Sequence, residues 1–363
     1  MLRRLTVPIL LLGALLLGAC EPTAQPPSPP VTKVPASIDA TGATDVSAAL
    51  ATFLASVPNQ SVVEFAPGGE YRIESTLWVR QRQGLTIDGN DALLFSTTPG
   101  NRERSQMAIE GGADIVVKDL RVRGANPAAG ALYNGAFQLD KEAQHGFDIM
   151  GVQGMELRNV TVTDTYGDFV HITREYNREW ADDVLITGSH FARNGRQGIA
   201  MVAARNVLIE GNSFADMRRA TFDFEPGRGP GWGVDSVVIR NNDIGIGRLF
   251  FVAAAGEGPV NNITIEGNRL RGIALQIWMV DKAGGMRHNW KVLNNTSDRS
   301  HNNRDLAPMR FWRVDGLEVR GNVQPMSVGS TMYGVRAEDS CGLALDGNTY
   351  PNATGQSLVI GTC

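Results

Sequence analysis

Residues 207–212 read VLIEGN, 237–242 VVIRNN, 263–268 ITIEGN, 317–322 LEVRGN and 343–348 LALDGN. Each is a short run of alternating apolar and polar residues closed by a Gly/Asn or Asn/Asn pair. Period-two alternation marks a strand with one face in a core. Gly and Asn accept the left-handed backbone of a tight turn. LTIDGN (85–90), VLITGS (184–189) and KVLNNT (291–296) obey the same rule. Asn closes the run at positions 212, 242, 268, 295, 322 and 348, so successive copies lie 26 to 30 residues apart. A leucine-rich repeat would carry a fixed comb of leucines, and a propeller blade would need about forty residues. Strands this short at this period predict an all-β solenoid, a right-handed parallel β-helix of about ten coils.

The segment before the first clear repeat, residues 38–79, contains one helical stretch from about Asp45 to Ser56. Asp45 or Thr44 is the expected N-cap, and Val46, Leu50, Phe53 and Leu54 form an apolar stripe. Strands are expected around Val62–Phe65 and Tyr71–Ile73, joined by Pro67-Gly68-Gly69. A helix over the open end of a solenoid blocks edge-to-edge stacking. The repeat, its column of Asn corners and this capping helix together resemble the pectin lyase-like superfamily of pectate lyases and polygalacturonases, over roughly residues 36–363. The resemblance implies an asparagine ladder along one corner and a polysaccharide as partner. The paired-Asp and Gly-His-Gly signatures of polygalacturonases are not found.

The first 35 residues have a different character. Arg3 and Arg4 precede an apolar run, Leu5 to Leu17, too short to span a bilayer comfortably. It ends in Leu17-Gly18-Ala19-Cys20, which resembles the lipobox of bacterial lipoproteins. The expectation is a signal peptide over 1–19, a lipid on Cys20, and an extracytoplasmic, membrane-anchored protein. Residues 20–35, ending EPTAQPPSPPVTKVP, are too rich in Pro to pack a core and read as a tether. The folded domain is then 36–363. Cys341 and Cys363 remain, 22 residues apart. Stacked coils sit about 4.8 Å apart, so two cysteines one coil apart can pair in an oxidising compartment. The net charge of −4 becomes more negative without Arg3 and Arg4, which argues against nucleic acid as partner.

A second strand follows each Asn turn: GFDIM (146–150), FVHIT (169–173), GIAMV (198–202), TFDFE (221–225), LFFVA (249–253), LQIWM (275–279) and MRFWR (309–313). Alternation places Phe147/Ile149, Val170/Ile172, Ile199/Met201, Phe222/Phe224 and Phe250/Val252 inward. The outer face then carries Asp148, His171, Ala200, Asp223 and Glu225, continuing with Gln276, Trp278, Arg310 and Trp312. A one-residue slip would reverse any coil. Arg174, Arg193, Arg196, Arg218 and Arg219 crowd the flanking turns, with Asp168 and His145 beside them.

Carboxylates, an imidazole, arginines and flat aromatic rings are the groups a polysaccharide site needs. Asp223, Glu225 and Asp168 have the residue types for hydrolysis, in which one carboxyl donates a proton and another activates water or attacks. In β-elimination of a uronate, Arg196, Arg219 or His171 would serve as base or electrophile, with Asp148 tuning His171, and Ca²⁺ could replace an arginine. An epimerase would use similar groups. Arg174, Arg193, Arg219, Arg310, His145, Trp278 and Trp312 are candidates for substrate binding. No metal-ligand spacing is visible among the His and Cys residues. A lyase or hydrolase is favoured, and a non-catalytic glycan- or envelope-binding module is the alternative. Scattered rather than convergent polar groups would favour the latter.

Overall fold

The repeat closes into a parallel solenoid in the computed structural model, which describes residues 28–132, 134–175, 180–227, 231–253, 258–279, 285–302 and 307–363. The expected signal peptide, residues 1–19, and Cys20 lie outside the described residues. Long strands Ala203–Glu210, Gly233–Arg240, Val260–Glu266, Arg287–Leu293 and Val314–Arg320 pair in parallel. Their registers align Val207, Val237, Ile263, Trp290 and Leu317 in one inward row. After each Asn corner a short strand stacks in the same way, as Ser213–Ala215 does on Asp243–Ile244. The third wall is an 11-stranded sheet running from Leu77–Arg80 to Gly355–Ile360.

The Asn corner is a continuous hydrogen-bonded column. Asn212 Nδ2 donates to Asn242 Oδ1 at 3.1 Å, and the pattern continues through Asn268, Asn295, Asn322 and Asn348 at 2.9–3.0 Å. Each Nδ2 also donates to a carbonyl of the preceding coil, as Asn268 does to Ile239 at 2.9 Å. These buried amides satisfy backbone groups that the bend would otherwise leave unpaired. Inside, Phe169, Phe191 and Phe214 stack coil on coil with ring centroids 5.6 and 4.9 Å apart.

At the N-terminal end the helix Ser47–Ser56 buries Leu50 and Leu54. Its N-cap position is Val46, which has no side-chain cap bond, so the expected capping role of Asp45 or Thr44 is corrected. The Asp45 carboxylate instead accepts the Ser47 N–H at 3.0 Å from one residue further out. The tether boundary also moves. Val31–Lys33 pairs in parallel with Val62–Glu64, so the sheet begins before residue 36. Val and Thr suit a strand, and an edge position tolerates the flanking prolines. At the other end Cys341 and Cys363 form a disulfide with Cα atoms 5.5 Å apart.

Candidate functional site

The 11-stranded wall carries the polar residues. Its registers place Asp148, His171, Ala200, Asp223, Val252, Trp278 and Arg310 in one outward column, one residue per coil. His171 and Asp223 therefore share a wall, two coils apart. The fifth coil corrects the expected register. Strand Met217–Phe224 shifts against its neighbour between Met217 and Ala220, so Phe251 faces inward beside Phe222, and Val252 stands outward beside Asp223. The shift comes from one extra residue on the 217–224 side, a bulge that bends a strand and moves later alternation by one. Phe250 and Phe251 are both fully buried.

A groove of about 920 Å³ opens along this wall. Its floor includes Asp223, Glu225, Gln197, Gln276 and Trp278, and Arg218, Arg219, Arg248 and Arg299 line it. One rim comes from Ala131 and Leu132, in an irregular segment that crosses the coils. Asp223 is almost completely buried. Its Oδ2 accepts a hydrogen bond from Gln197 Nε2, and Oδ1 has no donor partner. Burial, and then the adjacent Glu225 carboxylate, push the Asp223 carboxyl far above the ordinary carboxylate range. It keeps its proton at neutral pH. Glu225 is partly exposed and takes a 3.0 Å bond from Arg196 Nη2.

Arg196 is the brace behind the groove. Its Nη1 donates to Asp168 at 2.8 Å, while Asp168 also accepts the Gln197 N–H at 2.8 Å. Asp168 is fully buried, and desolvation raises its pKa despite that guanidinium. The Asp168 charge in turn holds the Arg196 proton more tightly than usual. A guanidinium so held cannot act as a base. Replacing Arg196 by Met is expected to cost about 3–5 kcal/mol, the effect of stranding a buried charge. Asp168 would then hold its proton still more tightly, so the loss shrinks as the pH falls and Asp168 protonates. Thermal melts of the variant at pH 5 and pH 8 check this, and equal losses at both would count against it.

Beyond Ala200 lies a second polar cluster. His171 Nδ1 is 2.9 Å from Asp148 Oδ1. Burial opposes charge on both groups, but their mutual bond outweighs it, raising the His171 pKa and lowering that of Asp148. His145 stacks on His171 with centroids 4.7 Å apart. The backbone N–H of Asp168 donates to His145 Nδ1 at 3.1 Å, so that nitrogen is bare. Desolvation, and then the His171 charge, hold the His145 pKa down at about 3, and the ring is neutral. Neither histidine lines the groove, and Asp148, Asp168 and Arg196 do not either.

Other expected groove residues are placed elsewhere. Arg193 pairs with Asp164 at 2.7 Å, and Arg174 lies over the Trp232 ring at 3.7 Å. Trp312 is only 7% exposed and Arg310 stacks on it at 4.7 Å, which corrects Trp312 as an open platform. Alternation gave Trp312 an outward position, but neighbouring side chains cover it. Arg219 does line the groove and stacks on Phe137 at 4.7 Å. Gln197, Arg248 and Arg299 were missed. Gln197 occupies the same turn position as Asp168 one coil earlier, which was the available signal. Among the described residues, no three carboxylate, imidazole or thiol groups gather as metal ligands do.

A family model described as a right-handed beta helix region matches residues 137–297. Among curated proteins, none matches the sequence. The family 28 exopolygalacturonase of Yersinia enterocolitica superposes with TM-score 0.62 at 14% identity, covering 92% of this chain and 78% of that one. The Streptococcus pneumoniae surface adhesin PfbA gives 0.55 at 13% identity, covering 89% and 97%. An alginate lyase from Paenibacillus sp. str. FPU-7 gives 0.54 at 13% identity, covering 86% and 97%. Enzymes and an adhesin stand side by side here, so likeness at this level speaks for architecture alone. With its parallel walls, Asn column and matched beta helix region, this chain is a right-handed parallel β-helix.

Proposed function

We propose that this chain is a carbohydrate-active protein that hydrolyses an anionic polysaccharide, with Asp223 as proton donor and Glu225 as the partner carboxylate. The observation that carries the reading is a buried carboxyl that retains its proton on a groove floor, beside an accessible carboxylate salt-bridged to Arg196. Hydrolysis of a glycosidic bond needs one carboxyl of each form, flanking the scissile bond. When a sugar enters, its glycosidic oxygen accepts the proton from Asp223 Oδ1, the atom without a partner among the described residues. Arg196 then stabilises the carboxylate that Asp223 becomes, and Glu225 activates water or attacks. β-Elimination or epimerisation would need a neutral base against the sugar. Arg196 holds its proton too tightly for that and His171 stands outside the groove; the imidazole that does line it, His301, is almost completely buried, with Nδ1 3.2 Å from Gln276 Nε2.

The anionic preference comes from Arg218, Arg219, Arg248 and Arg299, none of which pairs with a carboxylate among the described residues. Free guanidinium forks bind carboxylates bidentately. Trp278 offers a flat ring to a sugar face. On this reading the protein is exported and held by lipid at Cys20 on an extracytoplasmic membrane face, with the Pro-rich segment as spacer and the helix 47–56 shielding the solenoid end. Ca²⁺ bound together with a substrate carboxylate is compatible with it.

Full-length, detergent-solubilised protein incubated with polyuronides and neutral glycans tests the reading. New reducing ends without unsaturated-uronate absorbance are expected from a polyuronide. Unsaturated ends would replace hydrolysis by elimination. Saturable binding with neither product would favour a non-catalytic glycan-binding module, the reading that the second polar cluster outside the groove supports.

A further inference from the structure

The groove has an apolar rim that an unsubstituted acidic sugar would not fill. Leu132 is 81% exposed and Ile246 is 51% exposed, and both line it. Leu249 and Ile273 continue that apolar surface. The backbones that carry these two side chains are tied to one residue. The Asp216 carboxylate accepts the Ala131 N–H at 2.6 Å, next to Leu132, and the Asp216 N–H donates to the Ile246 carbonyl at 2.5 Å. Asp216 itself sits at φ 57°, a left-handed conformation that Asp tolerates better than most residues. Exposed branched aliphatics on anchored backbone beside a ligand groove expect an apolar ligand group.

We infer that the sugars this groove accepts carry a small apolar substituent, an O-acetyl group, beside their carboxylate. This rests on the groove being a polysaccharide site. The chemistry divides between two sets of side chains. Sugar ring faces are met by flat aromatic rings such as Trp278, and carboxylates by arginine forks. Leu132 and Ile246 do neither. They match a methyl group standing off the ring, and an O-acetyl ester adds that methyl while leaving the uronate charge for Arg218, Arg219, Arg248 and Arg299. The occupant is thus charged and apolar at once, as the lining is.

The test measures affinity of the full-length protein, by calorimetry, for O-acetylated galacturonan and mannuronan oligomers and for their alkali-deacetylated counterparts of equal length. Acetylated oligomers are expected to bind about four-fold more tightly for each methyl covered. The Leu132→Ser/Ile246→Ser double variant should bring the ratio of the two affinities to about one. Equal affinity for both forms in the native protein would overturn the inference while leaving the polysaccharide site intact. Binding of neither form would overturn the polysaccharide site and the inference with it. Rim-dependent binding to phosphatidylglycerol vesicles in place of the oligomers would assign the rim to lipid and overturn it as well.

Discussion

Asp223→Asn is expected to lower turnover of a responsive polysaccharide by about 10²- to 10⁴-fold, the usual contribution of general acid catalysis, and at the same time to stabilise the protein. The two effects have one cause. Asp223 is buried beside Glu225 and holds its proton well above the pH at which an unfolded aspartate loses it. Its folded pKa is raised, so the native state binds more protons than the unfolded chain over the intervening range. Stability then falls as pH rises from about 4 towards the folded pKa. Asn removes that penalty without altering the shape. Its Oδ1 still accepts from Gln197 Nε2, and its Nδ2 is uncharged beside the Glu225 carboxylate, as the protonated carboxyl is. What Asn cannot do is release a proton to a leaving oxygen. The stability gain over the native protein should be small at pH 5 and larger at pH 8, measured as melting temperature. Glu225→Gln should also lose turnover, but without a gain that grows in this way. Turnover by the Asn variant within a few-fold of native would remove Asp223 from the chemistry, and a pH-independent stability difference would remove the retained proton.

The solenoid was legible because two local rules coincide along the chain. Alternating Val, Ile and Leu specify which face is buried, and Asn at 212, 242, 268, 295, 322 and 348 marks the corner. The column from Asp148 through His171 and Ala200 to Asp223 followed from the same alternation, since parallel coils in register add one residue each. Alternation failed where the backbone inserts an extra residue. The bulge between Met217 and Ala220 carries no side-chain signal, and it turned Val252 outward and Phe251 inward, while Phe250 keeps its place in the core against Phe222. The arginine brace was half visible. Arg196 was singled out by its charge, but its neighbour Gln197 has none, and the bond from Gln197 to Asp223 depends on how one turn stacks on the next. The apolar rim was not legible at all. Leu132 lies in an aperiodic segment whose position is set by a long-range clamp from Asp216, 85 residues away.

Asn268→Asp is expected to be the most damaging single change to the fold, although it exchanges one NH₂ for one oxygen. Asn268 is completely buried at the middle of the ladder. Its Oδ1 accepts from the backbone N–H of Asn242 at 3.1 Å and from Asn242 Nδ2 at 3.0 Å. Its Nδ2 donates to the Ile239 carbonyl and to Asn295 Oδ1, both at 2.9 Å. Truncation to Ala deletes all four bonds and should cost roughly 3–4 kcal/mol, at about 1 kcal/mol each. Asp retains the two accepting bonds but points a second oxygen at two acceptors, and places an uncompensated charge in the core. About 5 kcal/mol or more is expected at pH 7.5. The introduced carboxyl would have its pKa raised by burial, so protonation should recover part of the loss at pH 4, where its O–H can donate to one of the two acceptors. Asn268→Ala has no group to titrate and should show no such recovery. Urea unfolding of both variants at the two pH values separates the cases. Because each coil of a solenoid is stabilised mainly by its immediate neighbours, amide exchange should rise first in the strands on either side of Asn268, Val260–Glu266 and Arg287–Leu293. An Asp variant as stable as the native chain at neutral pH would show that the column of amides is a consequence of coil stacking rather than one of its causes.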